Sequence, residues 1–102
     1  MIRHIVLFRF EAESSPAARA ALITAFRALP ALIAEVRAFE EGPNLSPEGL
    51  GQGFDHAFVM RFADAPARDA YLAHPAHQAF VAQTRGVVAQ ALVFDLAAGS
   101  AA

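Results

Sequence analysis

The order of elements legible in this 102-residue chain predicts an α+β fold. The elements run β-α-β-β-α-β, the ferredoxin-like arrangement in which a four-stranded antiparallel sheet carries both helices on one face. Three observations predict it. Ile2 to Phe10 and His56 to Phe62 are apolar on both of the faces that a strand presents. Two segments, Ser14-Ser15-Pro16 and Asp64-Ala65-Pro66, place a capping side chain one or two residues before a proline suited to a first helical turn. Turn-forming residues separate the periodic runs, with no internal repeat or low-complexity linker between them.

In the first strand, Ile2, His4, Val6, Phe8 and Phe10 share one face and Arg3, Ile5, Leu7 and Arg9 the other. The first helix is expected from the Ser-Pro start to about Leu29, with Leu22, Phe26 and Leu29 as its inner stripe and Pro30 as its stop. Val36 to Glu41 reads as a second strand closed by Gly42-Pro43. Residues 42–53 form a long breaker-rich connection, either a lid or binding element or a surface turn. The third strand is His56 to Phe62. A helix from Asp64 passes through Tyr71, is interrupted at Pro75 and resumes from His77 to about Gln90 with a weak point at Gly86. Ala91 to Leu96 is the last strand. The domain spans 1–97, and 98–102 is an apolar-poor tail expected to fray.

Two helices cover only one side of such a sheet. Ile5, Leu7, Val59, Leu92, Phe94 and Leu96 would lie bare on the other, a patch of roughly 600–800 Å², more than soluble monomers commonly expose. A homodimer packed sheet to sheet is the expected remedy, with Arg3, Arg9 and Arg61 at its margins.

Composition removes several classes of function. The chain has no cysteine, which rules out disulfides, thiolate nucleophiles and cysteine-held metals. A net charge of -2 with scattered basic residues gives no nucleic-acid footprint. Arg3, His4 and Arg9 interrupt the start where a signal peptide would be apolar, and no run approaches the roughly 18 apolar residues of a membrane span. A cytoplasmic protein with no membrane partner is expected.

Chemistry concentrates in Tyr71 to Phe80, YLAHPAHQAF. His74 precedes a helix whose first turn holds Pro75, and His77 falls on its third residue. His77 is a candidate general base, because imidazole takes and returns protons near neutral pH. Asp95 is expected to accept its other ring N–H, which would fix the tautomer; the alternative is a structural bond tying helix to sheet. Tyr71 is either a donor to a carbonyl oxygen that gains charge or an amphipathic core residue. His4 completes a polar end of an apolar cavity or is a satisfied core group. Val6, Phe8, Phe26, Phe58 and Phe80 are core residues that would line any cavity between sheet and helices. His74, His77 and His56 invite comparison with a metal site, but no carboxylate stands at ligand spacing around them, so no metal and no cofactor is expected.

The opening RHIVLFRF, the loop GPNLSPEGL, the aromatic third strand, YLAHPAHQAF and the closing LVFDL together resemble the dimeric α/β-barrel family, also called the stress-response A/B barrel or Dabb domain. The likeness runs from Ile2 to about Leu96, and HPAH with its flanking Tyr and Phe is its most specific part. It implies a ferredoxin-like subunit that dimerises sheet to sheet into a barrel with the helices outside. One plant member closes the ring of a linear polyketide thioester by an aldol-type condensation. The match to it implies roles for His4, Tyr71 and His77, with Asp95 behind the principal histidine. Large aromatic pocket residues of that cyclase are missing here, so its substrate does not transfer. The resemblance says less about activity; one reading is a cofactor-free cyclase or lyase acting on a hydrophobic carbonyl compound. The alternatives are a non-catalytic dimer that either binds an apolar ligand or supports stress tolerance through its stability alone, and a haem-handling monooxygenase, disfavoured because no clear axial histidine stands on the proper helix.

Overall fold

The computed structural model describes residues 1–99. The elements are β1 (Ile2–Phe10), α1 (Pro16–Leu32), β2 (Ala38–Pro43), β3 (His56–Phe62), α2 (Ala65–Ala73), α3 (Pro75–Gln83) and β4 (Val88–Ala97). All strand neighbours are antiparallel, in the order β2-β3-β1-β4. β1 and β3 therefore lie inside the sheet, and β2 and β4 are its edges.

The register decides which side chains meet. His4 stands opposite Met60 on one side and Asp95 on the other, and Ile5 stands opposite Val59 and Phe94. Residues directly opposite one another share a face. His4, Val6, Phe8 and Phe10 face the helices and are buried there. The core is aromatic: the rings of Phe26 and Phe58 stack at 4.1 Å, and Phe80 closes on Phe26 at 4.5 Å. On the opposite side Ile5, Leu7, Val59 and Leu96 are half-buried, while Leu92 is 41% and Phe94 58% exposed.

Each helix start is capped as its sequence requires. Ser15 accepts the Ala18 N–H, and Asp64 accepts that of Ala67. His74 does the same for α3, its Nδ1 accepting the Ala76 N–H at 3.0 Å with Pro75 in the first turn.

Several boundaries differ from expectation. Pro30 does not stop α1, which continues to Leu32. Pro30 gives up its own N–H bond and crowds the preceding turn, but the last turn is held by Leu29 and Ile33, both buried, with the Ile33 N–H on the Leu29 carbonyl at 2.9 Å. β2 begins at Ala38 rather than Val36, because Val36 is turned inward with its N–H on the Ile33 carbonyl. It also runs on through Pro43, which an edge strand tolerates. Finally, α3 ends at Gln83, not Gln90, and β4 starts at Val88, not Ala91. Gly86, at φ +76°, turns the chain there, and pairing along nearly all of β1 outweighs the weak helical preference of the segment. In the tail, Ala98 is not free: its N–H bonds the Met1 carbonyl. Residues 100–102 of the expected frayed tail lie outside the described residues. Among the described residues no helix is long and apolar enough to cross a membrane.

Candidate functional site

The helices lean on β2 and β3 and leave β4 uncovered, so that Val93 is 59% exposed although it points to the helical side. A cavity of about 380 Å³ opens in the gap between β1 and β4 below and α2 and α3 above. Val6, Phe8, Phe26 and Phe80 form its apolar end, and His4, Tyr71, His77 and Asp95 stand at its polar end. Of the five aromatic and aliphatic residues expected to line such a cavity, Phe58 does not. It is fully buried behind Phe26 and Phe8, because Phe26 stacks over it from α1.

His77 owes its setting to the break between two short helices. The last carbonyls of a helix lack partners within it, and that of Leu72, near the end of α2, accepts both the His77 Nδ1–H at 3.0 Å and the Gln78 amide at 2.9 Å. A carbonyl only accepts, so Nδ1 carries the proton, and in the neutral ring Nε2 is left as a proton acceptor. Burial lowers the His77 pKa from its ordinary value of 6.5; the Leu72 carbonyl opposes this and His4 adds to it. The ring is thus held neutral. Its neighbour Tyr71 lies 4.5 Å away between ring centroids. Tyr71 is 1% exposed, and burial pushes its phenol well above the ordinary value of 10.0, so it remains a protonated donor.

Asp95 does not orient His77. It belongs to His4, whose Nδ1–H donates to Asp95 Oδ1 at 2.5 Å. The antiparallel register places the two side by side on adjacent strands, whereas His77, on α3, meets the Leu72 carbonyl first. His4 is 3% exposed, and its ring meets those of Tyr71 and Phe62 edge-on at 5.9 and 5.8 Å. His4, Tyr71 and His77 therefore converge, with Asp95 behind His4.

Arg68 was not anticipated. Its Nη1 donates to Asp95 Oδ2 at 3.0 Å, and Asp69 holds the same guanidinium from the other side. A signal was available in the spacing: Arg68 precedes Tyr71 by three residues, which places both on one face of α2. The remaining histidines lie apart. His74 caps α3, and His56 donates to Glu41, which also accepts from Arg27 at 2.6 Å. These two partners, His56 before Arg27, hold the Glu41 carboxyl below its ordinary 4.5. The 44–55 connection lines none of the His77 cavity; Leu45 and Phe54 instead border a hollow with Leu7 and Ala57 on the other face of the sheet.

Comparison with known proteins agrees with this architecture. The family model described as the stress responsive A/B barrel domain matches residues 2–98. A stress-response A/B barrel domain-containing protein of Arabidopsis thaliana, HS1, is 35% identical over 94 residues, covering 92% of this chain and 86% of that protein. Among solved structures, a dimeric ferredoxin-like protein from Thermobifida fusca superposes with a TM-score of 0.81 at 31% identity, covering 95% of this chain and 90% of that one. A hydroxynitrile lyase from Passiflora edulis superposes with a TM-score of 0.90, covering 97% of this chain and 94% of that one; at 21% identity this likeness is one of fold.

Proposed function

This chain belongs to the stress-responsive A/B barrel (Dabb) family, and on that footing we propose that it acts, as a homodimer, on a small hydrophobic carbonyl compound without a cofactor. The reaction is proton transfer at the carbon next to the carbonyl, the step that begins an aldol-type ring closure or its reverse. The observation that carries the proposal is the tautomer of His77. With Nδ1–H on the Leu72 carbonyl, Nε2 is a proton acceptor on a ring that borders an apolar cavity.

In this reading Nε2 of His77 takes the proton, and the electron pair of the C–H bond moves into an enolate. The enolate oxygen gains charge and is met by the Tyr71 hydroxyl, with the His4 ring packed edge-on beside Tyr71. The imidazolium of His77 then returns its proton to carbon or to an oxygen. Val6, Phe8, Phe26 and Phe80 exclude water from the apolar end and hold the rest of the molecule. The cavity is near the lower end of the usual range for ligand sites, about 300–1,000 Å³, which suits a small substrate.

The homodimer is supported by the bare face that carries Leu92 and Phe94 and by relatives described as dimeric ferredoxin-like proteins from Thermobifida fusca and a Jannaschia species. The test of the chemistry needs no natural substrate. Phenylacetone is neutral, apolar and carries an acidic carbon between ring and carbonyl. In deuterated buffer the protein should catalyse its deuterium exchange with saturation, and His77→Gln should lose about 10²–10⁴-fold of that rate while keeping its fold. Saturable binding with no exchange above buffer would favour a non-catalytic binder of apolar ligands. An exchange rate unchanged by His77→Gln would remove His77 from the reaction.

A further inference from the structure

Arg68 has no part in the chemistry assigned above, yet it bridges the mouth of the cavity. Its guanidinium reaches from α2 to β4 and donates to Asp95 Oδ2 at 3.0 Å, while Asp95 Oδ1 accepts from His4 Nδ1 at 2.5 Å. Among the described residues this is the one side-chain hydrogen bond between any helix and β4.

Asp95 stands on an edge strand that no helix covers, and a quarter of its side chain is open to water. Held by His4 alone, its carboxylate would be free to rotate about the Cβ–Cγ bond and exchange the histidine for water. Held at both oxygens, it keeps Oδ1 aimed at His4. A carboxylate so placed fixes the imidazole tautomer, with the proton on Nδ1, and the orientation of the ring. Asp69 offsets the remaining charge of Arg68 and draws the guanidinium from the far side.

We propose that Arg68 is a positioning residue, acting through Asp95 to hold the His4 ring and its tautomer at the polar end of the cavity opposite His77. Both histidines are fixed at Nδ1, by a carboxylate for His4 and by a backbone carbonyl for His77. The ionisable groups around His4 are Asp95 on β4, Arg68, Asp69 and Tyr71 on α2, and His77 on α3.

This inference rests on the reading of the cavity as the site of the reaction, but its test uses the full chain free of ligand. Imidazole-labelled protein should show a protected, strongly downfield Nδ1 proton for His4 by NMR. In Arg68→Met that proton should exchange with solvent at least about tenfold faster, and Arg68→Lys, which keeps a cationic donor of similar reach, should restore protection. Backbone amide spectra and the thermal midpoint follow the fold separately, and Arg68→Gln replaces the Met variant if that one does not fold. An unchanged His4 proton in a folded Arg68 variant overturns the proposal. So does loss of protection that Lys fails to restore. Phenylacetone exchange that is absent from the wild type would sink the proposed reaction while leaving this measurement standing.

Discussion

Replacing Phe94 by Glu strikes the uncovered face of the sheet along its β4 edge. Phe94 lies directly opposite Ile5, whose other neighbour on that face is Val59, and it is 58% exposed in the single chain. The whole face, at roughly 600–800 Å² and about 25 cal/mol per Å², represents about 15–20 kcal/mol per subunit before the cost of association. Burying a whole Phe side chain is worth about 1.5–3 kcal/mol, so the exposed half or so of Phe94 accounts for about 1–2 kcal/mol. A twofold interface contains it twice, giving about 2–4 kcal/mol. The two new carboxylates must then be desolvated or held apart, at several kcal/mol more. A total of at least about 5 kcal/mol weakens the dimer more than about a thousandfold. Sedimentation from nanomolar to micromolar concentration measures this directly: the wild type should be dimeric at micromolar concentration and Phe94→Glu monomeric. Leu32→Glu, at an exposed position at the end of α1, should leave the dimer intact. A monomeric wild type, or a variant that dissociates like the wild type, would refute the packing argument.

Other perturbations separate the parts of the account. Because the folded-state pKa of His77 is lowered, the unfolded chain binds its proton first as pH falls below 6.5. Its contribution to stability is therefore present above that pH and lost as pH falls through the folded value; chemical denaturation of His77→Gln against wild type should show the difference only there. The Glu41 carboxyl, also lowered, should lose its contribution in a separate window below 4.5, and Glu41→Gln should abolish that second loss. Asp95→Asn removes a charge-assisted bond to the buried His4 and should cost about 1.5–3 kcal/mol in urea unfolding. Phe26→Ala opens the aromatic stack on Phe58 and Phe80 and should cost about 3–5 kcal/mol, read as a shift of the urea midpoint.

How much of this was legible before any coordinates depends on the range of the interaction concerned. The faces of β1 and β3 follow from alternation alone, and the caps at Ser15, Asp64 and His74 follow from one side chain and the proline after it. Features decided across the sheet were not legible. The start of β4 at Val88 depends on how far β1 offers partners, and the survival of α1 past Pro30 depends on the burial of Ile33. In the site, His4, Tyr71 and His77 could be singled out because polar groups that move protons are conspicuous in an apolar chain. The partner of Asp95 could not, since a shift in strand register would have given it another neighbour. Phe58 and Phe26 carry the same side chain, and only their packing order decides which of them meets the cavity.

The account turns on His77 being a neutral imidazole whose free nitrogen borders the apolar cavity, and NMR of its ring nitrogens at about pH 7 measures that state. The expected result is a proton on Nδ1, none on Nε2, and a marked shift of Nε2 alone when phenylacetone is added. An imidazolium, a proton on Nε2, or an Nε2 signal indifferent to phenylacetone would contradict it.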